Sequence, residues 1–152
     1  MRENFLIFGS PEICEEEIAE VVDTLRSGWI GTGPKVGAFE EAFKQYVGAE
    51  HAIAVSSCTA ALHLSMIVSG VGPGDEVITT PMTFCATANA IVHTGAKPVF
   101  VDIDIPTYNI NAERLEEAIT PKTRAIMLAH TLGNPFDLAT VTELAPGVFF
   151  RK

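Results

Sequence analysis

Positive charge is scarce in this sequence. The 152 residues include 10 Lys and Arg against 19 Asp and Glu, which gives a formal net charge of −9. Because no basic cluster stands against this balance, nucleic acid and anionic membrane surfaces are poor partners. Cysteine is scarce too: Cys14, Cys58 and Cys85 are widely separated, and no Cys/Cys or Cys/His pair has zinc spacing. We therefore expect a reduced, cytoplasmic protein without a metal site.

Two long runs contain no charged residue, 51–74 and 77–96. Each is long enough to span a bilayer. However, both have turn formers or hydroxyls at their midpoints, Ser56 and Ser57 in the first and Pro81 in the second. Buried strand–turn–helix units explain these runs better than membrane spans. The first four residues also lack the basic start and apolar stretch of a signal peptide, so we expect no membrane association.

Hydrophobic periodicity predicts two helices followed by a regular alternation of strands and helices. The first helix begins at the acidic residues 15–17 and ends before Gly28, and the second covers 36–47. The predicted strands are 52–55, 76–79, 98–101 and 124–129, and the later helices are 59–68, 84–93, 112–119 and 138–144. This order predicts a three-layer α/β/α fold around a mostly parallel sheet.

The segment 52–64 contains the first candidate site. An apolar stretch breaks at two serines and turns at once into a predicted helix, which places Ser57, Cys58, Thr59 and Ala60 at a helix N-terminus. Unpaired N–H groups and the positive end of the helix dipole at such a turn bind phosphate without a basic side chain. The alternative is an ordinary helix cap, a position that serine and threonine favour for their own hydrogen bonds.

Ligands in parallel α/β sheets bind beyond the carboxyl ends of the strands. That rule selects the loops 56–60, 80–84, 102–104 and 130–137. Phe84 lies in the second loop, where its face could cover a planar ring, although a lone phenylalanine is more often a core residue. His130 follows a strand and is a candidate site residue, whereas Cys58 and Cys85 read as inert buried thiols. A phosphate turn beside an aromatic platform favours pyridoxal 5′-phosphate (PLP) as the cofactor.

Four segments together resemble the DegT/DnrJ/EryC1/StrS family of sugar aminotransferases. They are Gly28-Trp29-Ile30-Gly31-Thr32-Gly33-Pro34, Ser56-Ser57-Cys58-Thr59-Ala60-Ala61-Leu62-His63-Leu64, Gly74-Asp75-Glu76-Val77-Ile78-Thr79 with Thr83-Phe84, and Pro98-Val99-Phe100-Val101-Asp102-Ile103-Asp104. Cys58 departs from the glycine or alanine common at its position in the family. The resemblance covers the chain from Gly28 to about Leu144.

The resemblance implies an incomplete large domain of a fold-type-I PLP-dependent transferase. Ser57, Cys58, Thr59 and Ala60 would form the phosphate turn, and Phe84 would stack on the cofactor ring. Gly31, Thr32 and His130 would belong to substrate loops in an active site shared across a homodimer. The implied reaction moves an amino group from glutamate or glutamine to a keto group of a nucleotide-linked sugar.

The resemblance also implies that two catalytic groups lie beyond this chain. The family needs a lysine that bonds to the cofactor and an aspartate against the pyridine nitrogen, and both follow the helix near Asp137. We expect three parts: an N-terminal helix and active-site loop (1–34), the first part of the PLP-binding domain (35–145), and a tail that departs from the family pattern (146–152). We predict no catalytic residue here and no activity for this chain alone.

Two further functions stay open at this stage. The segment 130–137 resembles the 3-dehydrases that act on CDP-4-keto-6-deoxy sugars, in which a histidine replaces the cofactor-bound lysine. The other alternative is a non-catalytic binding or assembly module that has kept the fold. Binding of PLP would separate the enzyme from the module, and the residue at the lysine position would separate the two enzymes.

Overall fold

The computed structural model describes residues 9–145. The chain divides into two compact units, 1–54 and 55–152, and each is described by itself. The division between residues 34 and 35 that we expected from the sequence stays a prediction. The tail 146–152 lies outside the described residues.

Helices α1 (Glu15–Ser27) and α2 (Pro34–Val47) form the first unit. Three glutamates in the first turn of α1 face the positive end of the helix dipole. Gly28 and Gly48 end the two helices with φ of 74° and 67°, a left-handed conformation in which a Cβ is costly. Both predicted helices are confirmed. The second begins earlier than predicted because proline fits the first helical position.

Ion pairs join α1 to α2, but the apolar side chains of both helices are exposed to solvent. Lys35 pairs with Glu20 and, at 2.9 Å, with Asp23. Hydrogen bonds to Glu20 and then Asp23 raise the pKa of Lys35. Exposed pairs of this kind contribute little stability. The exposed apolar side chains of the two helices include Ile18, Val21, Leu25, Phe39, Phe43 and Tyr46. Apolar surface on this scale is typical of a protein contact.

The second unit alternates helices and strands. Its elements are α3 (Cys58–Val68), β1 (Glu76–Thr79), α4 (Ala86–His93), β2 (Lys97–Phe100), a 3-10 turn (Ala112–Arg114) that leads into α5 (Leu115–Ala118), β3 (Thr123–Ile126), a second 3-10 turn (Thr131–Gly133) and α6 (Leu138–Leu144). These elements confirm the predicted alternation from residue 59 onward, with ends that differ by a few residues. No helix within residues 9–145 is long and apolar enough to cross a membrane.

The sheet is parallel and has the strand order β2-β1-β3. In the central strand, Val77 pairs with Pro98 on one side and with Ala125 on the other. All three carboxyl ends therefore lie at one edge. The predicted mostly parallel sheet is confirmed.

Each face of the sheet packs against its own pair of helices, because successive side chains of a strand point to opposite faces. Val77 packs with Met66 of α3 and Ile91 of α4. The next residue, Ile78, packs on the other face with residues of α5 and α6. Val77, Ile78 and Ile91 are fully buried. The predicted three-layer α/β/α arrangement is confirmed.

The predicted strand at residues 52–55 is wrong. The segment is not paired into any sheet in the described part of the chain. Ile53 is 83% exposed, and the Ala54 N–H donates to the Glu40 carboxylate at 2.8 Å. A strand exists through hydrogen bonds to a neighbouring strand. A local apolar pattern predicts that a segment is suited to a sheet, but it does not supply the neighbour.

Candidate functional site

A cavity of about 400 Å³ lies at the carboxyl edge of the sheet in the second unit. Three segments line it: the first two turns of α3, the end of β1 with the following loop and the start of α4, and the residues after β3. Its lining residues are Cys58, Thr59, Leu62, Thr79, Thr80, Thr83, Phe84, Ala86, Thr87, Met127, Leu128 and Ala129. The volume is in the range of sites for small ligands. None of these twelve side chains is normally charged, and two of the four predicted loops meet here.

Ser57 is the N-cap of α3, because its extended backbone ends the preceding segment and its hydroxyl oxygen accepts the Ala60 N–H at 3.1 Å. Its carbonyl oxygen accepts the Ala61 N–H at 3.1 Å. No described residue accepts a hydrogen bond from the N–H of Cys58 or Thr59. Ser57 is thus an ordinary cap that also leaves two donors for an anion. Ala60, also predicted in the phosphate turn, already uses its N–H in the cap.

Phe84 lies in the loop between β1 and α4, and 78% of its side chain is exposed. The alternative of a core phenylalanine is therefore wrong, and stacking of Phe84 on the cofactor ring stays a prediction. Beside it, the hydroxyls of Thr83 and Thr87 form a hydrogen bond of 2.9 Å one helical turn apart. An exposed aromatic face and neighbouring hydroxyls can hold a flat ring that carries polar substituents.

The expectation that Cys58 and Cys85 are buried is wrong. Both thiols are free and exposed, and so is that of Cys14. The physical reason is their position: Cys58 opens α3, and Cys85 immediately precedes α4. Residues at the start of these helices lie at the edge of the sheet, which the core does not cover.

His130 follows β3, as predicted, but does not line the cavity. Its ring stacks on Phe136 with a centroid distance of 4.5 Å and an interplanar angle of 23°. Its Nδ1 accepts the Phe136 N–H at 3.3 Å. These contacts order the imidazole within its own loop, and a substrate role for His130 stays a prediction.

Gly31 and Thr32 lie in the tight turn between α1 and α2 of the first unit. The Trp29 indole N–H donates to the Thr32 carbonyl at 2.8 Å, which folds the indole back over the turn. A Cβ at Gly33 would lie 1.9 Å from the indole nitrogen, so a larger residue there would displace the indole from this position. The turn is a well-defined local structure, and its predicted place in an active site stays a prediction.

The other two predicted loops meet at a second cavity of about 520 Å³. Its residues include Asp104 and Asp137, which come from loops far apart in sequence. Buried Asn109 connects these loops, because its amide donates to the Asn134 carbonyl at 3.1 Å and its oxygen accepts the Thr131 N–H at 3.2 Å. Asp137 caps α6, and hydrogen bonds from the Thr140 hydroxyl and N–H lower its pKa. These hydrogen bonds give the two loops a structural role.

Sequence reasoning missed the hydroxyl groups of the first cavity, those of Thr79, Thr80, Thr83 and Thr87. A signal was available. Four threonines fall within nine residues of an otherwise apolar, uncharged run, although the same residues also suit a β-branched strand and its turn.

Comparison with known proteins gives consistent matches. A model of the DegT/DnrJ/EryC1/StrS aminotransferase family matches residues 11–148. The chain is 53% identical over 144 residues to SpsC of Bacillus subtilis (strain 168), a spore coat polysaccharide biosynthesis protein; the match covers 95% of this chain and 37% of SpsC.

Solved structures agree in fold. One match is Spr1654 of Streptococcus pneumoniae, which is described as a sugar aminotransferase and has been solved in PLP and PMP forms. The TM-score is 0.86 and the identity is 44%, over 91% of this chain and 35–36% of Spr1654. 3-Amino-5-hydroxybenzoic acid synthase matches with a TM-score of 0.82 and 38% identity, over 88% of this chain and 35% of its own. The chain therefore spans just over a third of the length of these relatives.

Proposed function

Because the chain belongs to the DegT/DnrJ/EryC1/StrS aminotransferase family, we propose that it is the cofactor-anchoring part of a PLP-dependent sugar aminotransferase. The complete enzyme would transfer an amino group from glutamate or glutamine to a keto group of a nucleotide-linked sugar, in the synthesis of a polysaccharide or a secondary-metabolite sugar. The cavity of about 400 Å³ at the carboxyl edge of the sheet carries this proposal.

The donor set of this cavity fits PLP. The free N–H groups of Cys58 and Thr59 and the dipole of α3 would bind the phosphate. The Ser57 hydroxyl accepts from Ala60, and its own hydrogen is available to a phosphate oxygen. Phe84 offers an exposed face to the pyridine ring. When bound, PLP supplies an electron sink for the carbon that changes its amino group.

The residues of this chain would orient the cofactor and keep water away from one side of it. Leu62, Met127 and Leu128 give the cavity apolar walls. Phe84 would fix the plane of the ring, and the start of α3 would fix its phosphate end. Two separate anchors set both the position and the tilt of a flat molecule, which is what a positioned reaction requires.

We place the lysine and the aspartate of the reaction outside this chain, which would then be inactive alone. No lysine of the described residues lines the cavity. Our proposal also includes a homodimer that covers the exposed apolar faces of α1 and α2 and brings Gly31 and Thr32 to the active site. The three free thiols suit the reducing cytoplasm.

The 3-dehydrase alternative uses the same anchor, with pyridoxamine 5′-phosphate (PMP) as the cofactor. Its motif at 130–137 folds around the stack of His130 on Phe136, and that contact is compatible with either enzyme. The residue at the lysine position of the complete protein discriminates between them. A non-catalytic module predicts that neither form of the cofactor binds.

The test is a titration of the purified chain with PMP, followed by its fluorescence. PMP is the better probe because it lacks the aldehyde with which PLP reacts with surface lysines. We expect PMP to bind at least about ten-fold more tightly than pyridoxamine, which lacks the phosphate, because charge-assisted hydrogen bonds are strong. Equal affinities would contradict a phosphate site at α3.

A pair of variants at one residue tests the N–H groups directly. Cys58→Pro removes one donor at the first position of α3, where proline is compatible with a helix and with the extended Ser57 before it. Cys58→Ala keeps the N–H and removes the thiol. We expect the proline variant to weaken PMP binding about ten-fold and the alanine variant to bind as the unchanged chain does. Equal effects would mean that the N–H is not a ligand.

A further inference from the structure

Thr79, the last residue of β1, is a polar residue in a row of buried apolar ones. Val77 and Thr79 share a face of the sheet because side chains alternate along a strand. Val77 packs on this face with Met66 and Ile91 and has no exposed surface. Thr79 continues the same row and is only 1% exposed. A purely structural reason would favour valine at this position.

The hydroxyl of Thr79 has no partner in the described part of the chain. It forms no hydrogen bond there, whereas every fully buried polar side-chain atom among the described residues has one. The oxygen of Thr79 is therefore not fully enclosed, and the small exposed part of this residue includes it. Thr79 also lines the cavity of about 400 Å³, which is an open space next to this residue.

A hydroxyl so deeply placed and unpartnered has a desolvation cost that only a ligand or a trapped water offsets. The neighbouring hydroxyls differ in this respect, since that of Thr80 reaches the Met82 carbonyl at 3.5 Å and those of Thr83 and Thr87 bond to each other. Two lining threonines, Thr59 and Thr79, have hydroxyls without a partner among the described residues. Thr59 is exposed at the start of α3, so Thr79 is the buried one of the two.

We propose that the Thr79 hydroxyl hydrogen-bonds a neutral polar atom on the ring of the bound cofactor, as a third anchor besides the start of α3 and Phe84. This inference rests on the proposed function. A ring hydroxyl fits better than the ring nitrogen, which the proposed reaction leaves to an aspartate. It also fits better than the phosphate, because a dianion against a residue that is 1% exposed would need charge compensation, and none of the lining side chains carries a positive charge. Thr79 is a binding and positioning residue, and no proton transfer is assigned to it.

The test compares Thr79→Val with Thr79→Ser in the same chain. Valine keeps the shape of threonine and removes the hydroxyl, whereas serine keeps the hydroxyl. We expect Thr79→Val to weaken PMP binding about 3- to 10-fold, the value of one neutral hydrogen bond, and Thr79→Ser to restore most of it. Inorganic phosphate, measured by its competition with PMP, should bind both variants equally.

The melting temperature of the free chain separates a ligand contact from a structural role. Thr79→Val should melt at the same temperature or higher, because an unpartnered hydroxyl is replaced by a methyl group. Thr94→Val is the matched control: its hydroxyl donates to the Ile91 carbonyl at 2.7 Å, it does not line the cavity, and its loss should lower the melting temperature without changing PMP affinity.

Each failure has a distinct signature. An unchanged chain that does not bind PMP overturns the proposed function. A chain that binds PMP, with Thr79→Val binding equally well, overturns the role of Thr79 alone. If Thr79→Val weakens inorganic phosphate as much as PMP, the hydroxyl contacts the phosphate and the assignment to the ring is wrong.

Discussion

Replacement of Phe84 by alanine should separate cofactor binding from stability. A fully buried phenylalanine costs about 3–5 kcal/mol when it is truncated to alanine. The side chain of Phe84 is 78% exposed, so only about a fifth of it is buried in the free chain. The loss in free energy of unfolding for Phe84→Ala should therefore stay below about 1 kcal/mol, which denaturant titration can measure.

The expected loss in binding is larger than the loss in stability. A phenylalanine side chain has a total of about 150–250 Å² to bury, and a stacked ring would cover about one face, or roughly 80–100 Å². At about 25 cal/mol per Å², that contact contributes about 2 kcal/mol. Phe84→Ala should thus raise the dissociation constant of PMP about 30-fold.

Two controls accompany this measurement in the fluorescence titration. Phe84→Tyr keeps an aromatic face and should bind PMP within about three-fold of the unchanged chain. Phe100→Ala removes another exposed phenylalanine of the second unit, one outside the cavity lining, and should leave the affinity unchanged. The reasoning is refuted if Phe84→Ala binds PMP normally, or if it loses several kcal/mol of stability.

Two further predictions concern the stability of the second unit. The hydrogen bond from the Thr120 hydroxyl at 2.7 Å, more than the Lys97 ammonium, lowers the pKa of Glu76. A lowered pKa means stability that is present above about pH 4.5 and lost as pH falls through the folded pKa, so Glu76→Gln should lower the urea midpoint at pH 7 and flatten its acid dependence; equal pH profiles would count against it. Leu115→Ala should cost about 2–5 kcal/mol in urea because Leu115 is fully buried, whereas Leu132→Ala, at a residue 86% exposed, should change stability by less than about 0.5 kcal/mol.

Local sequence patterns predicted the elements whose causes are local. The acidic first turn and Gly28 mark the ends of α1, and Ser57 marks the start of α3 within one residue. The strand expected at 52–55 was wrong because a strand forms by pairing with a neighbour, and a local sequence pattern does not report that neighbour. The second cavity could not be predicted for the same reason, because Asn109 contacts a loop that lies 25 residues away in sequence.

The candidate site was predictable in part for the same reason. The start of α3 and Phe84 each carry a recognisable local signal, and the structure brings both to one cavity. Thr79 carries only the weak signal of four threonines within nine residues, because a threonine in a strand is ordinary. We infer a role for Thr79 only because its side chain is buried and its hydroxyl has no partner among the described residues. Exposure of Cys58 and Cys85 likewise depends on where the sheet ends, which composition does not report.

The positions of two lysines decide whether either could reach the cavity. Lys97 begins β2, and its ammonium lies 3.4 Å from the carboxylate of Glu76, which begins β1. The four residues of β2 span about 10 Å at roughly 3.3 Å each, so Lys97 is held at the edge of the sheet opposite the cavity. Lys122 precedes β3 and lies at the same opposite edge. Neither Lys97 nor Lys122 is therefore positioned to supply the reacting amine at the cavity, and in our proposal that amine comes from another residue of the complete enzyme.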